Sequence, residues 1–112
     1  MDLGTDFQLH RASVDISKGL RQFQKADNAV YNGNIDSAAR HYEKGLDRFA
    51  SALDHLANAE DDAYDKAGSE IDKGNQEMRK VVDEYGSGNL DSAQKHYDSA
   101  LKYYDEALDL LD

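Results

Sequence analysis

The four histidines are the side chains of this sequence best suited to moving protons near neutral pH. Two of them, His41 and His55, share a seven-residue spacing with Arg48, so the three line one edge of any helix that carries them. That stripe is the most functional-looking arrangement on the chain. His41 recurs as His96, and a small ligand or metal held between the hairpins at that pair is the alternative. Neither pattern comes with a complete constellation. No Glu-x-x-His and no His-Glu-x-x-His occurs, and the absence of cysteine excludes thiolate ligands and thiol nucleophiles. No Ser stands beside an oriented base, and no glycine-rich phosphate loop follows a strand. The expected binding residues are His41, Arg48, His55, His96 and Tyr103, with no cofactor.

What must position these residues is a unit written twice. Gly33–Tyr42 reads GNIDSAARHY, and Gly88–Tyr97 reads GNLDSAQKHY. At a shift of 55, Ala12–Leu56 and Ala67–Leu111 are identical at 17 of 45 positions. Such self-similarity sets the architecture before any other signal.

Within the unit, apolar and small residues recur in steps of three and four. They fall at Leu9, Ala12, Ile16, Gly19, Phe23, Ala26 and Val30, then at Ile35, Ala38, Tyr42, Gly45, Phe49, Ala52 and Leu56. That is the period of a helix with one buried face. Tyr64 to Tyr85 and Leu90 to Leu111 repeat the pattern. Asn32-Gly33-Asn34 and Gly86-Ser87-Gly88-Asn89 supply the left-handed residues that end helices and the Asn that caps the next one. Thr5 or Asp6 is expected to cap the first helix. Connections this short make neighbouring helices antiparallel. The expectation is an all-α fold: a four-helix up-down bundle of two tandem-duplicated antiparallel α-hairpins in one domain, about 6–57 and about 60–112. Gly19 and Gly74 sit mid-helix, where glycine costs about 1 kcal/mol against alanine. Their expected use is close approach of Leu46 or Phe49, and of Leu101 or Tyr104. The junction Leu56–Ala63 contains no Gly or Pro. Asn58 or Asp61 ending one helix and capping the next gives the compact bundle we expect. An unbroken helix would part the hairpins and make an exchanged dimer, so monomer and homodimer both stay open.

The net charge of −10 opposes a phosphate backbone and argues against general nucleic-acid binding. It is unevenly placed. Residues 1–57 hold 7 Lys/Arg against 8 Asp/Glu, a net of −1; residues 58–112 hold 6 against 15, a net of −9. This suits a basic protein partner for the second half. No apolar run reaches a membrane span and the first residues lack the order of a secretory signal, so a cytoplasmic location is expected.

Gly33-Asn34-Ile35-Asp36-Ser37-Ala38, Tyr42 and Leu46 resemble the second half of a tetratricopeptide repeat, and Gly88 to Leu101 resembles it again. The period is 55 rather than about 34, and the closing proline is missing. The resemblance implies a helical hairpin and a protein–protein interaction role. Arg48-x6-His55 resembles the Arg-x(4–6)-His motif of HEPN-type helical domains, whose active members cleave RNA as dimers; the resemblance implies such a ribonuclease, with Arg48 and His55 as the catalytic pair, or an inactive relative.

Overall fold

The computed structural model describes residues 3–59 and 61–111. Four helices follow one another: α1 (Leu3–Tyr31), α2 (Ile35–Asn58), α3 (Asp62–Gly86) and α4 (Leu90–Leu111). α1 packs along α2 and α3 along α4, and the two hairpins form a bundle with principal extents of 47 × 19 × 17 Å. Glu60 and Asp112, the expected limits of the second hairpin, lie outside the described residues. α1 starts at Leu3, earlier than expected, so Asp6 lies within its first turn rather than capping it. No described helix is long and apolar enough to cross a membrane.

The two turns are built alike. Gly33 and Gly88 take φ of 77° and 80°, a conformation that glycine adopts without a Cβ clash. Gly33 N donates to Val30 O at 3.0 Å and Asn34 N to Ala29 O at 2.8 Å; Gly88 and Asn89 repeat this on Tyr85 and Glu84 at 3.1 and 2.9 Å. This paired closure satisfies the last carbonyls of each helix. Asn34 then caps α2, its side chain accepting from Ser37 N at 3.2 Å. At the junction between hairpins, α2 ends at Asn58, and the Asp61 carbonyl accepts from Tyr64 N and Asp65 N to open α3.

The anticipated apolar stripes form the core, except that Ile35 and Leu90, the first residues of their helices, remain exposed. Three glycines shape its middle. A Cβ on Gly19 would stand 2.6 Å from the Phe49 ring, one on Gly45 2.3 Å from Phe23, and one on Gly74 2.4 Å from Tyr104. The three rings fill the space thus opened and stack on each other, Phe49 on Tyr104 at 4.0 Å, Phe23 on Phe49 at 5.4 Å and Phe23 on Tyr104 at 5.7 Å. Among the described residues, α1 and α4 come no closer than 8 Å between Cα atoms, so the Phe23–Tyr104 stack bridges that seam while α2 and α3 meet directly. Among the described residues two polar ones are buried with this core, Asp15 and Asn75, neither of which belongs to the apolar stripes. Tyr104 donates its hydroxyl hydrogen to Asn75 Oδ1 at 2.8 Å.

Candidate functional site

The edge of α2 carrying His41, Arg48 and His55 faces a second polar row on α1, also spaced by seven. His41 Nδ1 and Gln22 Oε1 are 2.8 Å apart, Arg48 NH1 and Asp15 Oδ1 3.3 Å, and His55 Nδ1 and Gln8 Oε1 2.7 Å. As the α2 number rises by seven the α1 number falls by seven, which is the register of two antiparallel helices. An amide oxygen only accepts, so both histidines carry hydrogen on Nδ1 and donate it. The row on α2 is therefore one side of a ladder that joins the first hairpin.

Its middle rung is the most elaborate. Asp15 is buried at 7% exposure. Ser51 Oγ donates to its Oδ2 at 2.7 Å, Arg48 holds its Oδ1, and His55 Nε2 lies 3.6 Å from Oδ2. The last contact is attractive when the ring is protonated. Arg48 and His55, which the sequence pairs by spacing, are thus brought together by a carboxylate that spacing did not identify. A buried carboxylate without partners would be costly, and this one has three.

The second hairpin keeps one end of the ladder. His96 donates to Glu77 Oε2 at 2.6 Å, the positions matched to His41 and Gln22. The His96 hydrogen bond is the main reason the Glu77 carboxyl is held below its ordinary range. His41 is shifted down instead, by burial first and then by Lys44, Lys25 and Arg40 around it. Each histidine is engaged inside its own hairpin, and among the described residues no group of three or more His, Asp or Glu could hold a metal.

At the middle rung the second hairpin departs. The positions matched to Asp15, Arg48, Ser51 and His55 are Glu70, Tyr103, Glu106 and Leu110. One carboxylate closed by a cation has become two carboxyl groups with no arginine or histidine. The Glu106 carboxyl is raised above its ordinary range, first by its interaction with Glu70 and then by burial. Lys73 reaches Glu70 Oε1 at 3.3 Å and sits 5.9 Å from the centre of the Tyr103 ring, so Tyr103 is half-buried beneath a lysine. Lys66, Ser69, Glu70, Glu106, Asp109 and Leu110 line an open groove of about 380 Å³ here. Leu110 is 44% exposed.

Nearer the turns, Tyr42 packs on Tyr85 and Tyr97 at ring separations of 6.0 and 6.4 Å. The Tyr42 hydroxyl is buried and, though Tyr85 and Asp27 are near enough to perturb it, no group among the described residues meets it in hydrogen-bond geometry. One oxygen of Asp27 is likewise buried and unpaired, and burial followed by the charge of Asp98 raises its pKa.

Glu70, Glu106, Asp15, Ser51 and the α1 row Gln8, Asp15, Gln22 were not singled out by sequence reasoning. The signal for the α1 row was its spacing of seven, the mirror of the α2 spacing about the turn. No protein-family model, curated protein or solved structure matches the chain.

Proposed function

We propose that this chain is a non-enzymatic helical interaction module whose second hairpin engages a basic protein partner. The observation that carries this is the charge difference between two hairpins of the same design, −1 over residues 1–57 and −9 over residues 58–112. Both pack a similar stripe and close on the same turn, so the fold does not require the extra acid. Like charges on one small surface repel and reduce stability, whereas opposite charge on a partner turns them into attraction and faster encounter. The tetratricopeptide-like turns point to the same role.

The test is calorimetric binding of a disordered polybasic peptide to the full chain, in salt from about 0.05 to about 0.5 M, where the screening length falls severalfold. Affinity is expected to drop steeply across that range. A peptide that fails to bind at low salt, or binds with no dependence on salt, would refute the reading.

A second reading follows from the convergence of Arg48 and His55 on Asp15, a HEPN-like ribonuclease using that pair. It requires cleavage of RNA by the wild type that His55→Ala abolishes; equal cleavage by both proteins would remove it.

A further inference from the structure

We propose that the turn end of the seam between α1 and α4 binds a primary ammonium group, held by the Asp27 carboxylate and the Tyr42 hydroxyl. The site goes beyond the interaction reading and does not depend on the partner inferred there for the second hairpin.

Two buried oxygens carry the inference. Tyr42 is 1% exposed, and its hydroxyl has no hydrogen-bond partner among the described residues. Asp27 Oδ1 is buried in the same condition. The two groups converge. Phe23 packs on the Tyr42 ring at 6.3 Å, and Asp27 stands one turn further along the same face of α1. Side chains lean toward the N-terminus of their helix, so Asp27 reaches away from the turn while Tyr42, on antiparallel α2, reaches toward it. Burial first, with the charge of Asp27 among the neighbours, accordingly raises the phenols of both Tyr42 and Tyr97. The rings of Tyr85 and Tyr97, 6.0 and 6.4 Å from that of Tyr42, wall the spot.

The fold does not ask for a carboxylate here. The residue matched to Asp27 in the second hairpin is Val82, which packs against the core and borders the α2–α3 seam. At the α1–α4 seam an acid stands in the place of that valine, and the chain supplies no cation to meet it. Burial and then the charge of Asp98 on α4 hold the Asp27 carboxyl above its ordinary range. Among the described residues neither Asp27 nor Asp98 belongs to an ion pair.

These groups select the ligand. One cation relieves both carboxylates, and it must also donate hydrogen, because a carboxylate oxygen only accepts and a phenol oxygen can accept. A primary ammonium is a compact charge with three donors. The way in is the seam itself, where α1 and α4 stay more than 8 Å apart between Cα atoms among the described residues. Tyr31, one turn beyond Asp27 and 80% exposed, offers an aromatic ring to the charge and its alkyl stem. A divalent metal fits less well, since the described residues hold no group of three or more His, Asp or Glu suited to one.

The test titrates the full chain with n-butylammonium chloride at constant ionic strength, following backbone amide shifts by NMR. Saturable shifts are expected around 27–31, 42 and 97–98. Potassium and tetramethylammonium, which carry no N–H, are expected to bind at least about tenfold more weakly, the loss of one charge-assisted hydrogen bond. Asp27→Val, which installs the residue of the matched position, should weaken n-butylammonium at least about tenfold, and Asp27→Asn does the same while keeping the shape. Tyr42→Phe should weaken it about fivefold. Asp54→Asn, the same change of charge far along α2, should alter affinity less than about twofold. Thermal melts without ligand establish that the variants are folded. An N-acetylated Gly/Ser peptide with one lysine distinguishes the source: shifts at the same amides assign the ammonium to a partner's lysine, and shifts with n-butylammonium alone assign it to a free amine. No saturable shift with either probe, equal binding of potassium or tetramethylammonium, or affinity unchanged by Asp27→Asn overturns the site. None of these outcomes bears on the salt-dependent binding of a polybasic peptide, which tests the interaction reading separately.

Discussion

Replacing Gly74 by alanine should destabilise this protein, although the same change in an open helix stabilises. Gly74 lies in the interior of α3, where alanine is favoured by about 1 kcal/mol. Against that gain stands the Tyr104 ring. A Cβ at position 74 would approach three of its carbons at 2.4, 2.7 and 3.0 Å, well inside carbon contact distance of about 3.5–4.0 Å. The ring has no free direction. It is fully buried, tethered to Asn75 through its hydroxyl at 2.8 Å, and stacked on Phe49 at 4.0 Å. Overpacking of this kind costs about 1–3 kcal/mol, and a pinned ring places Gly74→Ala near the upper end. The net expectation is a loss of about 2 kcal/mol, or roughly 8 °C in Tm for a domain of this size. The control is in the same helix. A Cβ on Gly68 would meet only Leu53 at 3.7 Å, an ordinary contact, so Gly68→Ala should gain about 1 kcal/mol. Urea titration followed by far-UV circular dichroism measures both. A Gly74→Ala protein as stable as the wild type, or a Gly68→Ala protein as damaged as Gly74→Ala, would refute the close-approach account.

Other outcomes are expected from single polar groups. Tyr104→Phe leaves Asn75 buried without its donor and should cost about 1–2 kcal/mol; adding Asn75→Leu reproduces the Phe49 and Leu20 of the first hairpin and should bring urea stability back to within about 1 kcal/mol of wild type. Tyr42→Phe removes a buried hydroxyl that has no partner, so stability in urea should rise by about 1 kcal/mol rather than fall. The Glu77 carboxyl is depressed in the fold, so its contribution is complete above the unfolded value near 4.5 and disappears as pH falls through the lower folded value. Glu77→Gln, the residue found at position 22, should remove that part of the acid-side loss of stability in a series of melts against pH, with little change at neutral pH. If the acid limb is unchanged, the His96–Glu77 bond does not contribute.

Helices, turns and core were legible in the chain because each is governed by near neighbours. A stripe in steps of three and four determines which face is buried, and Gly33 and Gly88 end their helices because a left-handed residue is needed there. Even the glycine contacts with Phe49 and Tyr104 follow from an antiparallel partner and a short turn. The polar row at His41, Arg48 and His55 was visible as a pattern, but its meaning was not. Only the packed hairpin shows that the row is answered by Gln22, Asp15 and Gln8. The charge split and the matched positions are likewise properties of sequence alone. That Glu70 and Glu106 line one open groove depends on which side chains two helices turn toward each other across a seam. So does the burial of Asp15, Asn75 and the Tyr42 hydroxyl. Periodicity assigns residues to a face within a local frame, whereas the pairing of polar groups depends on distances between residues far apart in the chain, which only the tertiary fold determines.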